Sequence, residues 1–387
     1  MQLYEPITIG GVELQNRVVF PPTVMYRSDM RGCVTDYSRD IYSKISKGGV
    51  GLMVIEATFI NPIVPGLLCI FDDMHIPGLK SLVDLTHSES DAKISIQLID
   101  PMPGFYNVDN LPMEWLKFTQ MQYVNAAARA QEAGFDFIEL HGAHGYVISY
   151  FLSLRNRRKD EYGGNLKNRM RFVNEIIDGI RERCGKDFPI GIRLNAEEFI
   201  TGGNTLQQTT QIAKKLSSDK GLVYLNLTAG GKHEDAMNIV GNQLKWPYAA
   251  PGPWKDYHGY SGHRSMPPNY MPDGVNVYLA EAITKAVKET TDDFDKRAKV
   301  FACGKIPTPE FANTILEEGK ADCVSVCRAI LCDHEWANKG KEGRSDEIIK
   351  CKYCNICMQS CGEGYTRCVQ WKEEVDPMAH FGLPPIS

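Results

Sequence analysis

Short, almost unbroken apolar runs alternate along the chain with longer stretches that are apolar on one side only. The first 12 residues, with Gly10-Gly11 between β-rich flanks, predict a hairpin. Gln15–Phe20 predicts a buried strand that Pro21-Pro22 stops, because proline supplies no backbone donor. A helical pattern over 37–48 leads into GGVGLMVIEAT (48–58), a glycine turn feeding a strand that ends near Glu56. The same unit recurs: strand ISIQL (94–98), helix 112–134, strand Phe135–Leu140, helix 165–184, strand Phe188–Leu194, helix 205–219 and strand Leu222–Leu227. Helices over 276–290 and 308–319 precede strands Ala298–Ala302 and Cys323–Val326.

About eight strands, apolar on both faces and separated by helices, fit parallel strands covered on both sides. The economical fold is α/β, a (β/α)8 TIM barrel. A doubly wound sheet is the alternative, disfavoured because no strand runs into a G-x-G-x-x-G turn. In a barrel, polar residues at strand C-terminal ends converge on one mouth; here these are Glu56, Gln97, His141, Arg193 and the loops at Gly304 and Arg328. Residues 145–165 and 229–275 are too long for ordinary connections, and the second, rich in Gly, Pro and Tyr, is expected to roof the mouth. The barrel is assigned to 1–340 and a cysteine-rich segment with its tail to 341–387.

Composition narrows the class. A net charge of -5 with no separate basic run argues against nucleic acid. No apolar stretch reaches the length of a membrane span, and MQLYEPITIGG lacks the basic and apolar regions of a secretory signal. Of 12 cysteines, nine begin at Cys303, a bunching that points to ligands rather than to a disulfide framework and implies a cytoplasmic, reducing setting.

Four groups of residues carry candidate chemistry. Cys351-x-x-Cys354-x-x-Cys357 can bend three thiolates round one inorganic centre, a fourth ligand coming from further off; zinc and a [4Fe-4S] cluster both fit, the cadence favouring the cluster. Cys303-Gly304-Lys305 and Cys327-Arg328 follow late strands, where barrel loops hold phosphate through backbone N–H groups and an arginine adds a bidentate donor. Arg193 within IGIRLN is costly there unless an anion or an electron-rich ring faces it, and Gln97 could read the edge of such a ring. His141 and His144, three apart, would share a face if the segment is helical. They could bind a metal, though no third ligand lies at helical spacing, or donate to a carbonyl oxygen while Tyr146 delivers a proton.

Taken together, NRVVFPP, KGGVGLMVIEAT, AGFDFIELHGAHGYVISYFLS, NRRKDEYGGNLKNRMRF and the terminal cysteines resemble the old yellow enzyme family over about Tyr4 to Cys368. More narrowly they resemble its iron–sulfur branch, which contains trimethylamine dehydrogenase and 2,4-dienoyl-CoA reductase. That resemblance implies an FMN barrel reducing a carbonyl- or thioester-conjugated C=C bond. The alternatives are an amine dehydrogenase or demethylase of the same architecture, or a non-catalytic electron-transfer subunit. It implies that Pro22, Thr23, Ala57 and Gln97 line the flavin, Arg193 its N1–O2 side, and Gly304, Cys327 and Arg328 its phosphate. His141 and His144 match the pair that grips the substrate oxygen, Tyr146 the proton donor, and His233, in Gly231-Lys232-His233-Glu234, an assisting histidine. Cys351, Cys354, Cys357 and Cys368 match the cluster ligands, leaving Cys361 extra.

The chain departs from the family pattern at IDPMPG after Gln97-Leu98, at Cys327 in place of glycine, and at the shortened Ser153-Leu154-Arg155-Asn156. Ending at Ser387, it is expected to lack the nucleotide-binding module of the iron–sulfur branch. A separate electron donor or acceptor would then reach FMN through the cluster. Its other partner is a small-molecule substrate, and a homo-oligomer is allowed.

Overall fold

The computed structural model describes residues 1–62, 65–100, 108–231, 259–362 and 364–371. The chain opens on a two-stranded antiparallel hairpin, β1 (Ile7–Ile9) and β2 (Val12–Leu14). Its turn at Gly10 and Gly11 has φ of 56° and 82°, left-handed values that suit glycine, and a Cβ on Gly10 would collide with Val223. Eight parallel strands follow: β3 (Val18–Phe20), β4 (Leu52–Phe59), β5 (Lys93–Ile99), β6 (Phe137–Gly142), β7 (Ile190–Asn195), β8 (Tyr224–Thr228), β9 (Lys299–Ala302) and β10 (Cys323–Ser325). They close as β10-β3-β4-β5-β6-β7-β8-β9, which realises the expected barrel and excludes the doubly wound sheet.

Helices α1 (Asp36–Lys47), α2 (Ile76–Glu89), α3 (Met113–Glu132), α4 (Val147–Leu152), α5 (Leu166–Cys184) and α6 (Leu206–Ser218) cover the first half of the barrel. Helices Val277–Lys288 and Pro309–Glu317 cover the rest. Local sequence sets their starts: Thr35 and Ser38 make a reciprocal capping box on α1, Thr205 and Gln208 another on α6, and Asn165 caps α5 through the Asn168 amide.

Inward-facing residues divide the barrel into two zones. At the strand N-terminal end, Val19, Leu52, Val54, Phe137, Tyr224, Phe301 and Cys323 form a dry cluster against Ile7, Ile9 and Leu14, so the hairpin plugs the bottom. Two residues further along β6, β8 and β10 stand Glu139, Asn226 and Ser325, and with Gln97 of β5 they make a polar layer that floors the mouth.

The end of the described chain packs on the barrel. Thr366 donates to Val24 O at 2.6 Å and Trp371 Nε1 to Leu331 O at 2.8 Å. One expectation fails here. Among the described residues no group of three or more His, Cys, Asp or Glu side chains comes together to hold a metal ion, so the [4Fe-4S] segment is corrected. Cys351, Cys354, Cys357 and Cys368 border a common cavity beside Arg328 but do not converge. Cys354 is exposed, Cys351 Sγ accepts from Tyr353 N, and the Cys368 thiol is engaged with Cys332, whose hydrogen bond lowers its pKa. With the cluster goes the electron relay through it. Spacing three cysteines three apart allows convergence; along the backbone path they follow here, no three of them come together to hold an ion.

Candidate active site

The floor of the mouth is a hydrogen-bonded layer centred on Glu139, two residues before His141 on β6. Gln97 Nε2 on β5 donates to Glu139 Oε1 at 2.6 Å, and Asn226 Nδ2 on β8 to Glu139 Oε2 at 2.8 Å. A carboxylate only accepts, so both amides must turn their NH2 groups to it. Asn226 Oδ1 then accepts from Arg193 Nη1 on β7 and from Ser325 Oγ on β10, both at 2.8 Å. Burial pushes the Glu139 carboxyl up, with Arg193 and the amides opposing it. Arg193 alone on β7 is not fully buried, which sets its guanidinium at the mouth as its strand position predicted.

Above this floor the two histidines and the tyrosine come together. The His141 and His144 ring centroids lie 5.3 Å apart at 78°, and those of His141 and Tyr146 lie 4.7 Å apart at 65°. They do not share a helix face. His141 belongs to β6, His144 sits in a turn at φ 58° and bridges Gly231, and α4 starts only at Val147. The turn, rather than helical spacing, folds the side chains onto one another. Ala143 N–H points at His141 Nδ1 at 3.3 Å, which assigns that nitrogen as acceptor and leaves Nε2 as the N–H donor. His144 Nε2 lies 3.0 Å from Thr228 Oγ1 at the end of β8.

The remaining predicted residues divide. Thr23 Oγ1 lies 3.1 Å from Cys327 Sγ and donates to Pro21 O, tying the ends of β3 and β10. Pro22 sits beside it, half-buried, and Ala57 is buried at the mouth with Phe59, Ile99 and Tyr146. Gly304 has φ 111°, and a Cβ there would lie 2.8 Å from Asn276 Cβ, so only glycine lets this loop close in. Arg328 is buried, its guanidinium 4.8 Å from the Tyr353 ring, and Nη1 donates to Pro267 O at 2.8 Å and Asn355 Oδ1 at 2.6 Å. His233 lies outside the described residues, as does most of the expected roof.

Glu56 is not at the mouth. The β4–β5 register shifts between Ile55 and Ala57, and this irregularity turns Glu56 outward beneath α1. There its carboxyl accepts from Tyr42 OH at 3.0 Å and Met25 N at 3.1 Å. Sequence reasoning also missed Glu139, Asn226 and Ser325. The period-two pattern Glu139, His141 and Arg193, Asn195 could have placed them on the inner face.

These residues fit FMN. The glycine-bearing loop after β9 and the residues after β10 adjoin Arg328, which uses only Nη1 among the described residues and keeps other donors for a phosphate. Arg193 and Gln97 would offer a cationic and an amide edge to such a ring system.

Residues 2–115 and 106–240 match the NADH:flavin oxidoreductase / NADH oxidase family. The NADH oxidase of Thermoanaerobacter brockii is 35% identical over 385 residues, covering 92% of this chain and 53% of its own length. The NADPH dehydrogenase of Bacillus subtilis is 30% identical over 369 residues, covering 90% of this chain and 96% of its own. Among solved structures, a 2-naphthoyl-CoA reductase complex superposes with a TM-score of 0.76 at 24% identity, covering 92% of this chain and 54% of that one. The chain therefore spans about half the length of the first curated relatives it matches.

Proposed function

The chain belongs to the NADH:flavin oxidoreductase / NADH oxidase family, and from that premise we propose that it reduces an activated C=C bond with FMN as its cofactor. FMN, when bound, supplies the hydride at its N5. His141 and His144 hold the substrate's carbonyl oxygen, so that negative charge developing there meets donors already in place. The Ala143 amide fixes His141 with Nε2–H as donor, and Thr228 orients His144. Tyr146, against the His141 ring, delivers the proton to the carbon that does not take hydride. Pro22, Thr23, Ala57 and Gln97 would line the flavin ring, Arg193 would supply a positive charge at its edge, and Gly304, Cys327 and Arg328 would hold the phosphate. The reductant is a nicotinamide nucleotide entering the same mouth, as the names of the NADPH dehydrogenase relatives suggest. No helix among the described residues is long and apolar enough to cross a membrane, and the described cysteines are all free thiols. A cytoplasmic setting belongs to this reading.

The observation that carries the proposal is the packing of His141, His144 and Tyr146 over a floor that ends in Arg193. Anaerobic mixing tests it in two half-reactions. Tyr146→Phe should leave flavin reduction by NADPH intact and slow reoxidation by 2-cyclohexenone by roughly 10²–10⁴-fold. Reoxidation at the parental rate would remove Tyr146 from the chemistry.

A further inference from the structure

Among the described residues Cys351, Cys354 and Cys357 gather no metal site, yet the loop that carries them is locked onto the loops after β9 and β10. Asn355 makes the lock: its Oδ1 accepts from Arg328 Nη1 at 2.6 Å and its Nδ2 donates to Met266 O at 2.9 Å. Two residues earlier, the Tyr353 ring is faced by one cation from each loop. Arg328, after β10, holds its guanidinium carbon 4.8 Å from the ring centroid, and Lys305, after β9, holds Nζ at 5.2 Å. The ring therefore spans the two loops, and its hydroxyl, one bond off that ring, stays close to both.

Two features set Tyr353 apart from a residue that only packs. Its side chain is 7% exposed, and its buried hydroxyl has no hydrogen-bond partner among the described residues. A buried polar group without a partner has lost its water and gained nothing in return. A phenol can donate, so this orphan, unlike a carbonyl or carboxylate oxygen, suits an anion. Its backbone also stands at φ 50°, a left-handed value uncommon for a bulky side chain that persists only where the surroundings hold it. Lys305 is already engaged: Nζ donates to Asn269 O at 2.9 Å and to Met271 O, and lies 3.3 Å from the exposed Asp273 carboxylate. That pair adds no net charge beside the ring, which leaves Arg328 as the cation of the site.

We propose that the Tyr353 hydroxyl donates a hydrogen bond to the phosphate of FMN, so that a loop beyond the last barrel strand completes the cofactor site. Asn355 is the positioning residue of that loop, holding the Arg328 guanidinium for the same phosphate. This rests on the reading of Gly304, Cys327 and Arg328 as the phosphate site.

Tyr353→Phe keeps the ring and its contacts with both cations and removes only the hydroxyl. The full chain, stripped of flavin, is titrated with FMN and with riboflavin, which lacks the phosphate, and flavin fluorescence reads the binding. The Kd for FMN should rise roughly 10- to 100-fold, as for a hydrogen bond to a charged group, while the Kd for riboflavin stays the same. Stability should move the other way. Without flavin the variant should unfold at the same urea concentration as the parent or a higher one, because an unpaired buried hydroxyl is gone; at a fixed FMN concentration it should gain less than the parent. Arg328→Gln tests the phosphate site separately, since it should remove the preference for FMN over riboflavin. If Arg328→Gln removes that preference and Tyr353→Phe does not, the phosphate site stands and the Tyr353 assignment falls. Equal weakening for both flavins, or a parent that binds both alike, overturns it too. A parent that reduces no enone but shows the FMN-selective loss keeps the assignment and drops the reductase reading.

Discussion

Glu139 and Arg193 never touch, yet the amide of Asn226 joins them: its Nδ2 donates to Glu139 Oε2 and its Oδ1 accepts from Arg193 Nη1, each at 2.8 Å. A buried carboxylate on one strand thus orients, through one amide, the neighbouring strand's cation that faces the mouth. The same carboxylate fixes Gln97 on its other side. The polar groups that floor the mouth are therefore one network rather than independent residues.

Glu139→Gln tests that network. The substitution keeps the shape but replaces one acceptor oxygen with an NH2 group facing an amide donor. One buried donor is left unsatisfied, at a cost of about 1–3 kcal/mol. Denaturant unfolding should register that loss, and FMN should dissociate more readily because Gln97 and Arg193 lose their fixed orientation. A variant that unfolds and retains FMN like the parent would mean the network is not cooperative.

Arg193→Ala should lower the flavin reduction potential, since it removes a positive charge beside the ring where negative charge accumulates on reduction. Dye-linked redox titration reads this directly. The same preparation, denatured, should release FMN and not FAD, because the residues after β9 and β10 offer one phosphate site. An unshifted potential would turn Arg193 away from the ring.

The barrel was legible because its strands are nearly continuous apolar runs, and closure follows from eight of them with helices between. Gln97, His141 and Arg193 lie in β5, β6 and β7, where the apolar runs located those strands, and strand alternation sets which side chains point inward. Three things were not legible. Glu56 sits at a register shift that no propensity announces, and one displaced residue reverses the face. His141 and His144 meet through a left-handed turn, although their spacing of three suggested a helix. The cysteine cadence allows convergence on a metal, but whether thiols meet depends on the backbone path through a turn, which spacing alone does not determine.

Thr228→Val removes the hydroxyl beside His144 Nε2 while keeping the branched shape of the side chain. His144 should then lose its orientation but not its place in the turn. The expected result is a rise in KM for the enone, by roughly 3- to 10-fold as for one neutral hydrogen bond, with kcat changed less than in Tyr146→Phe. A larger loss in kcat than in KM would make Thr228 part of the chemistry rather than of positioning.

Glu56 supplies the last prediction, one about stability. Its carboxyl is fully buried, and burial pushes it up to about 7, against the opposing hydrogen bonds from Met25 and Tyr42. The folded protein therefore holds a proton on Glu56 that the unfolded chain, near 4.5, has already released. The stabilisation is fully present below about pH 4.5 and is lost as pH rises through about 7, because ionising the buried group costs free energy that the unfolded state does not incur. Glu198, also pushed up to about 7 by burial, adds to the same slope. Glu56→Gln mimics the protonated form: its carbonyl can accept from Met25 N and its NH2 can face the Tyr42 oxygen. The variant should match the parent most closely at the acid end and exceed it at pH 8 by on the order of 3 kcal/mol, since each tenfold difference in proton affinity between the folded and unfolded chain is worth about 1.4 kcal/mol. Urea unfolding across pH 5–8 would show this as a flatter profile for the variant, with Glu198 accounting for the slope that remains. Parallel profiles would mean that Glu56 is already ionised in the folded protein at pH 5.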